Sequence, residues 1–322
     1  MLITRSSLRV SLVGGGTDLP SYIEQLGYGE VISFPINKYI YITSNKYFDP
    51  KKLSFKYSKI EVVNKFNDFY NPIIRHALRL FYPKITAREF ASFSEIPSGT
   101  GLGSSSSFAG NLILHLKTLQ NIKISSFDVA KLASDLEINE IGDNIGRQDH
   151  FGALIGGLKK IRFTNKGTKI TKLNVNHELI NYLNENMFLV RVGEQRSANE
   201  ILTKVKSKEK KSIAQNGKEL LDLVGSLESS LAQSDLDKFS QIMNEGWEIK
   251  KRMSDDISND RINEIYNFGL CNGALCGKLC GAGGSGFIFF VCHNKKRLLD
   301  AFAKNQVEQI QIETKDLSYK KI

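Results

Sequence analysis

The chain has 322 residues, 41% apolar and 24% charged, a balance that fits about two globular domains and excludes wholesale disorder. It contains no apolar run of about eighteen residues and no signal-peptide core in MLITRSSLRVSLVGGG, so neither a membrane span nor secretion is expected and the cytoplasm is the expected compartment. The net charge of +10 points to an anionic partner, either nucleic acid or a small phosphate ester.

In chain order, SLRVSLV alternates as a strand, GGGTD breaks it, and a short helix leads into the β-rich run VISFPINKYIYITS. Residues 69–82 have helical periodicity, and TAREFASFSEIP alternates again. The stretch after Ser107 places Phe108, Leu112, Leu116 and Leu119 at helical spacing to about Gln120. A second helix opens at SSFD, a capping-box pattern, and extends to about Ile141. The glycine-punctuated segment GDNIGRQDHFGALIGG reads as a loop before the strand LKKIRFT.

The pattern weakens at 165–176, which marks a domain junction and gives units 1–170 and 171–322. Beyond it come a strand at MFLVRVG, helices near 197–208, 211–233 and 235–253, and a helix through RINEIYNFGLCNGALC. The loop GAGGSG, the strand FIFFVCH, the helix KKRLLDAFAKN and a final strand VEQIQIET complete the chain. Strands and helices interleave without a steady βαβ rhythm, so the expected class is α+β. Much of the positive charge lies in KVKSKEKKS, read as a solvated helix end. The cysteines at 271, 276, 280 and 292 fit neither a disulfide framework nor a paired zinc spacing, and read as buried, reduced thiols.

Three segments carry candidate chemistry. In PSGTGLGSSSS, Gly99, Gly101 and Gly103 let the backbone approach an anion, and Ser104, Ser105 and Ser106 open a helix whose free N–H groups favour one. Serine hydroxyls there also suit Mg²⁺. The residues alone leave a capped, flexible loop as the other reading. In LEINEIGDNIGRQDHFG, Glu137 and Glu140 are spaced to share a helix face, and Asp149 lies among Gly142, Gly146 and Gly152. These acids read either as solvated or, for Asp149, as catalytic. In LRVSLVGGGTD, Arg9 lies on a strand and Asp18 follows a triple glycine, readable simply as a turn and a helix cap. GAGGSG formally matches a dinucleotide fingerprint, but a strand follows it where that fingerprint needs a helix.

Together these parts resemble the GHMP kinase superfamily, which includes galactokinase, homoserine kinase and mevalonate kinase. PSGTGLGSS from Pro97 matches its P-x-x-x-G-L-G-S-S motif. LRVSLVGGGTD and KLCGAGGSGFIFFV resemble its N- and C-terminal motifs, in the right order over nearly the whole chain. Arg9 with Asp18, and Glu137 with Gly142, Gly146 and Asp149, reproduce spacings of the sugar 1-kinase branch. Gly14-Gly15-Gly16 replaces the G-E-H of galactokinases, which makes galactose a poor candidate. RxSxxGGGTDLPxY, INKYIYIT and EQRSANEIL are similar to the D-glycero-D-manno-heptose 7-phosphate kinases, which serve bacterial surface-polysaccharide synthesis.

This resemblance implies a two-domain fold with the active-site cleft between the domains, the second of them ferredoxin-like. It further implies transfer of phosphate from ATP to a sugar's anomeric hydroxyl, here that of a heptose 7-phosphate. Pro97, Gly99, Gly101, Leu102, Gly103, Ser104, Ser105 and Ser106 would hold the ATP phosphates, and Ser105 with Glu137 would bind Mg²⁺. Asp149 would act as base, with Arg9 as its opposite charge and as a further cation for the transferring group. Gly14, Gly15, Gly16, Thr17, Asp18, Gly283 and Gly284 would meet the sugar. Arg196 is the first candidate for a distal phosphate seat, ahead of Arg191 and Lys204. The partners implied are ATP and a sugar phosphate, with no nucleic acid and no membrane, in a monomer or homodimer. The rival readings are another sugar 1-kinase (mannose, galactose or fucose type), an ATP-dependent decarboxylase on the same scaffold, and a basic nucleic-acid-binding module, which would not need Glu137 and Asp149 in that spacing.

Overall fold

The structure, a computed structural model, describes residues 1–193 and 210–321. The chain opens with β1 (Leu2–Val13), the glycine turn, α1 (Pro20–Leu26) and the long β2 (Gly29–Lys46). β3 (Leu53–Lys56), β4 (Ile60–Val63), α2 (Pro72–Phe81), β5 (Arg88–Ser94) and α3 (Ser104–Leu119) follow. Next come α4 (Ser126–Asp135), α5 (Gln148–Leu154), β6 (Lys159–Thr164) and β7 (Gly167–Lys172). The first sheet has the order β12-β1-β2-β5-β3-β4, where β12 is Ser318–Lys321 at the chain's end. β6 joins the first half of β2, and β7 joins β6. The second sheet is antiparallel and has the order β11-β8-β10-β9, with β8 at Met187–Val192, β9 at Ala274–Leu279, β10 at Gly286–Cys292 and β11 at Val307–Gln309. Helix and sheet content is mixed, as the α+β reading requires.

Side-chain alternation on the first two strands explains how the halves meet. Leu8, Val10 and Leu12 of β1 and Ile32, Phe34 and Ile36 of β2 share one core cluster with Phe287–Cys292 of the second sheet. Phe34 meets Phe289 edge-on at 6.3 Å between ring centres. The other face of the first sheet contributes Val31, Ile42, Phe55 and Phe90 to a second cluster, under α2, α3 and α4. Arg9 and Ser11 have the opposite parity to Leu8, Val10 and Leu12, which turns them away from the shared core. Helices Lys210–Gln233 and Leu236–Met253 bury Leu220, Val224, Leu227 and Leu231, and Phe239, Met243 and Trp247, at helical spacing in the first cluster.

Several elements differ from the sequence reading. GDNIGRQDHFGALIGG contains the helix α5. Its Gly152 serves close packing, because a Cβ there would come within 2.9 Å of Ser33 Oγ. The helix from Ser126 passes at Leu136 into a π-helical turn through Ile141, which separates the two glutamates read as neighbours. Glu137 is buried, whereas Glu140 is exposed and paired with Arg79 at 2.8 Å. The 165–176 segment supplies the turn and second strand of the β6–β7 hairpin, so a 170/171 division runs through β7, and the chain's last strand returns to pair with β1. Residues 274–276, read as the end of a helix, belong to β9, which pairs with β10 from Ala274 to Leu279. Cys276, Cys280 and Cys292 are buried, but Cys271 is exposed. The basic 204–209 stretch, Arg196 and the whole of the helix expected near 197–208 lie outside the described residues. Among the described residues no helix is long and apolar enough to cross a membrane.

A buried lysine gives the fold a pH signature. Lys159 on β6 is fully enclosed, with Nζ donating to the carbonyls of Gly152 at 3.0 Å, Ile155 at 2.5 Å and Gly157 at 3.2 Å. Burial pushes its ammonium down to about 7. An unfolded lysine keeps its proton to about pH 10.4, so between these values the unfolded chain binds more protons and stability rises with pH. Lys159→Met is expected to flatten the rise in unfolding free energy between pH 7 and 9, by at most about 1.4 kcal/mol per pH unit. Urea unfolding at the two pH values checks this; equal slopes in both proteins would refute it.

Candidate active site

A cleft of about 280 Å³ opens where the two halves meet. The first half lines it with Arg9, Ser11, the glycine turn, the 99–106 loop and the 143–149 segment. The second half contributes Lys250, Met253, Ile257 and the 281–285 loop.

Asp149 lies in the first turn of α5 and is held from below by β1. Arg9 donates from Nε to Oδ1 at 2.9 Å and from Nη2 to Oδ2 at 2.8 Å, a bidentate pair in which the arginine side chain is 4% exposed and the aspartate 29%. Arg9 Nη1 also donates to the Gly101 carbonyl at 2.7 Å, and its backbone N–H donates to Leu102 O at 2.9 Å. Burial alone would lower the arginine's pKa. Asp149, helped by Cys280 and Asp18, outweighs it, so the net shift is upward and the guanidinium stays charged. One side chain thus fixes the carboxylate and the glycine loop in a common frame.

Gly103, in the left-handed conformation at φ 74°, turns that loop into α3, whose first N–H groups lack intrahelical acceptors. A Cβ on Gly103 would crowd Arg9 Cγ at 3.0 Å, and one on Gly101 would strike the Cys280 carbonyl at 2.4 Å. Gly99, Gly101, Gly103, Ser104, Ser105 and Ser106 all line the cleft. Leu102 is buried in the core, and Pro97 is exposed and caps Thr100 Oγ1 through its carbonyl. These two shape the loop without lining the cleft.

Glu137 and Ser105 also meet, with Ser105 Oγ donating to Oε1 at 2.5 Å, while buried His150 shares a hydrogen bond with Oε2 at 2.7 Å. Two hard oxygens on the cleft wall, one from a carboxylate anchored behind by an imidazole, fit a Mg²⁺ that keeps water and phosphate as its other ligands. Among the described residues no cluster of three or more His, Cys, Asp or Glu could hold a metal without such help.

The glycine turn divides its members between two tasks. Gly15, Gly16 and Asp18 line the cleft. Thr17 is fully buried, with its hydroxyl donating to Gly14 O and Glu30 O and accepting from Glu30 N–H, and a Cβ on Gly14 would sit 2.0 Å from Glu30 O. Gly14 and Thr17 therefore hold the turn against β2. Asp18 Oδ1 accepts from Gln148 Nε2 at 2.9 Å and Gly16 N–H at 3.2 Å, and its Oδ2 accepts from Gln148 N–H at 2.9 Å. It thereby ties the turn to the helix bearing Asp149. Burial, helped by the Asp149 charge, pushes Asp18 up to about 6 against the pull of those donors. Gly283 lines the cleft; Gly284 does not, and its N–H bonds Ile257 O at 3.0 Å. Arg191 is on β8, bonded to Gln306 and outside the cleft. Arg196 and Lys204 lie outside the described residues.

The sequence reading missed Gln148, His150 and Lys250. Lys250 carried a usable signal, because it continues the buried series Phe239, Met243, Gly246 with Met253 on one helix face.

Comparison with known proteins follows the same division of the chain. The model of the GHMP kinase N-terminal domain matches residues 71–157, and that of the GHMP kinase C-terminal domain matches residues 227–309. The chain is 29% identical to a D-glycero-alpha-D-manno-heptose 7-phosphate kinase of Campylobacter jejuni, over 94% of this chain and 93% of the relative. In fold it resembles the crystal structure of a D-glycero-D-manno-heptose 1-phosphate kinase from Bacteriodes thetaiotaomicron, with a TM-score of 0.77 and 20% identity over 100% and 99% of the two chains. It also resembles a putative sugar kinase from Campylobacter jejuni, with a TM-score of 0.76 and 23% identity over 100% and 98%. With both family domains matched in order and the cleft formed between them, the chain belongs to the GHMP kinases.

Proposed function

We propose that the protein transfers the γ-phosphoryl group of ATP to the anomeric hydroxyl of D-glycero-D-manno-heptose 7-phosphate, giving the 1,7-bisphosphate. The observation that carries this reading is the Arg9–Asp149 pair, set on the wall of the cleft and joined through Gly101 to a glycine loop at a helix N-terminus. A sugar hydroxyl against Asp149 gives its proton to the carboxylate as its oxygen bonds to the γ-phosphorus. The bond to the β–γ bridging oxygen breaks, and ADP leaves with that electron pair. The N–H groups opening α3 hold phosphate oxygens through both states. Ser105 and Glu137 would hold Mg²⁺, which when bound offsets charge on the β and γ oxygens. Support for the heptose comes from the Campylobacter jejuni relative, which matches over nearly its whole length.

The test is ATP-to-ADP turnover with Mg²⁺ against D-glycero-D-manno-heptose 7-phosphate, sedoheptulose 7-phosphate, mannose, galactose, fucose and mevalonate. Turnover confined to the heptose phosphate, with new phosphate on the anomeric carbon, is the expected result. Preference for an unphosphorylated hexose would retain the chemistry and overturn the substrate. Turnover of mevalonate alone would overturn the sugar reading altogether.

A further inference from the structure

The cleft has two cations among its described lining residues, and they are differently employed. Arg9 is committed, with its Nε, Nη1 and Nη2 donors engaged by Asp149 and the Gly101 carbonyl. Lys250 comes from the other half of the molecule, on helix Leu236–Met253, and has no ion-pair partner among the described residues. Its Nζ donates to two carbonyls, Leu279 O at 3.2 Å and Gly281 O at 2.5 Å.

Those carbonyls place the ammonium against the glycine loop. Gly281 and Gly101 are in backbone contact, since a Cβ on Gly281 would lie 2.3 Å from Gly101 Cα. One side of Gly101 is thus held by Arg9, and the other abuts the loop that holds Lys250. Phosphoryl transfer concentrates negative charge on equatorial oxygens, which positioned cations stabilise. With Arg9 spent on the base, the described residues leave Lys250 as the cleft cation able to meet the charge at the transfer point.

We infer that Lys250 is the cation that contacts the transferring γ-phosphoryl group, so that the second half of the chain completes a site otherwise built by the first. The inference rests on the nucleotide reading proposed above. Lys250 stays protonated throughout, while the sugar's proton goes to Asp149 and the leaving electron pair to ADP. Its surroundings are short of negative charge. Burial pushes the ammonium down to about 8, with Cys280 and Asp149 pulling upward and Arg9 pushing downward. A phosphoryl group supplies the missing anion.

Calorimetric binding of two Mg²⁺-loaded nucleotides to the full chain, without any sugar, tests this. The β,γ-imido analogue of ATP carries the γ group and ADP does not. Lys250→Met is expected to weaken the analogue at least about tenfold and to change ADP binding less than about twofold. Lys250→Arg is expected to recover most of the loss. Equal weakening of both nucleotides, or no weakening of either, would overturn the assignment. Emission of Trp247, the chain's one tryptophan, reports whether the helix carrying Lys250 keeps its packing. If Lys250→Met does not fold, Lys250→Gln keeps a donor for the two carbonyls and reads the same split. A sugar panel that rejects the heptose phosphate would leave this split intact, whereas failure of the wild type to bind either nucleotide overturns the nucleotide reading and Lys250 with it.

Discussion

Asp149→Asn is expected to lower turnover at least about a hundredfold while the protein folds normally, because the amide keeps the shape but cannot accept the sugar proton. A positioned general base typically contributes about 10²- to 10⁴-fold. The loss should fall on kcat with little change in KM for ATP, since the glycine loop and the start of α3 are untouched. Its cost to stability should be modest, on the order of 1–3 kcal/mol, because buried Arg9 keeps one amide oxygen and the Gly101 carbonyl as acceptors. Steady-state kinetics and thermal unfolding of the same preparation separate the two effects. Turnover near the wild-type value in a folded variant would remove Asp149 from the chemistry.

Gly101→Ala is expected to abolish measurable nucleotide binding, a loss of at least about a hundredfold, and to destabilise the protein. Gly101 has φ 81°, in the left-handed region, where a side chain costs roughly 1–2 kcal/mol. The added methyl would also sit 2.4 Å from the Cys280 carbonyl, backbone that cannot turn aside as a side chain would. The two glycine loops would have to separate, withdrawing the Gly101 carbonyl from Arg9 and the 281–285 loop from the cleft. Nucleotide titration and a urea midpoint read both effects. An alanine variant that binds ATP normally would show that the contact between the loops is dispensable.

Much of this architecture can be read from local pattern. The glycine–serine loop running into an amphipathic helix announces α3 because φ > 0 positions and apolar spacing are properties of a few neighbouring residues. The same holds for β1, its glycine turn and β2. Glycine, however, has two meanings that a sequence does not separate. In GDNIGRQDHFGALIGG it read as the turns of a loop, whereas Gly152 in fact lets α5 press against Ser33 and Gly146 makes room for Asp18, whose Oδ2 would lie 1.8 Å from a Cβ there.

The carboxylates show the same boundary. Spacing singles out Glu137 and Asp149 as members of one acidic segment, but spacing also pairs Glu137 with Glu140. The π turn cancels that pairing, sending one to buried His150 and the other to exposed Arg79.

By itself, then, the sequence determined the α+β class and a glycine–serine loop opening a helix, which are written in short-range periodicity, while Arg9 and Asp149 were singled out through motifs shared with a family. Only the tertiary structure decided what those residues touch: that Thr17 serves its turn, that Asp18 anchors Gln148, that β12 closes the first sheet, and that Lys250 enters the cleft from the opposite half. The physical reason is that such contacts join residues up to hundreds of positions apart: helical register puts Lys250 on the buried face of its helix without saying which distant loop its ammonium meets.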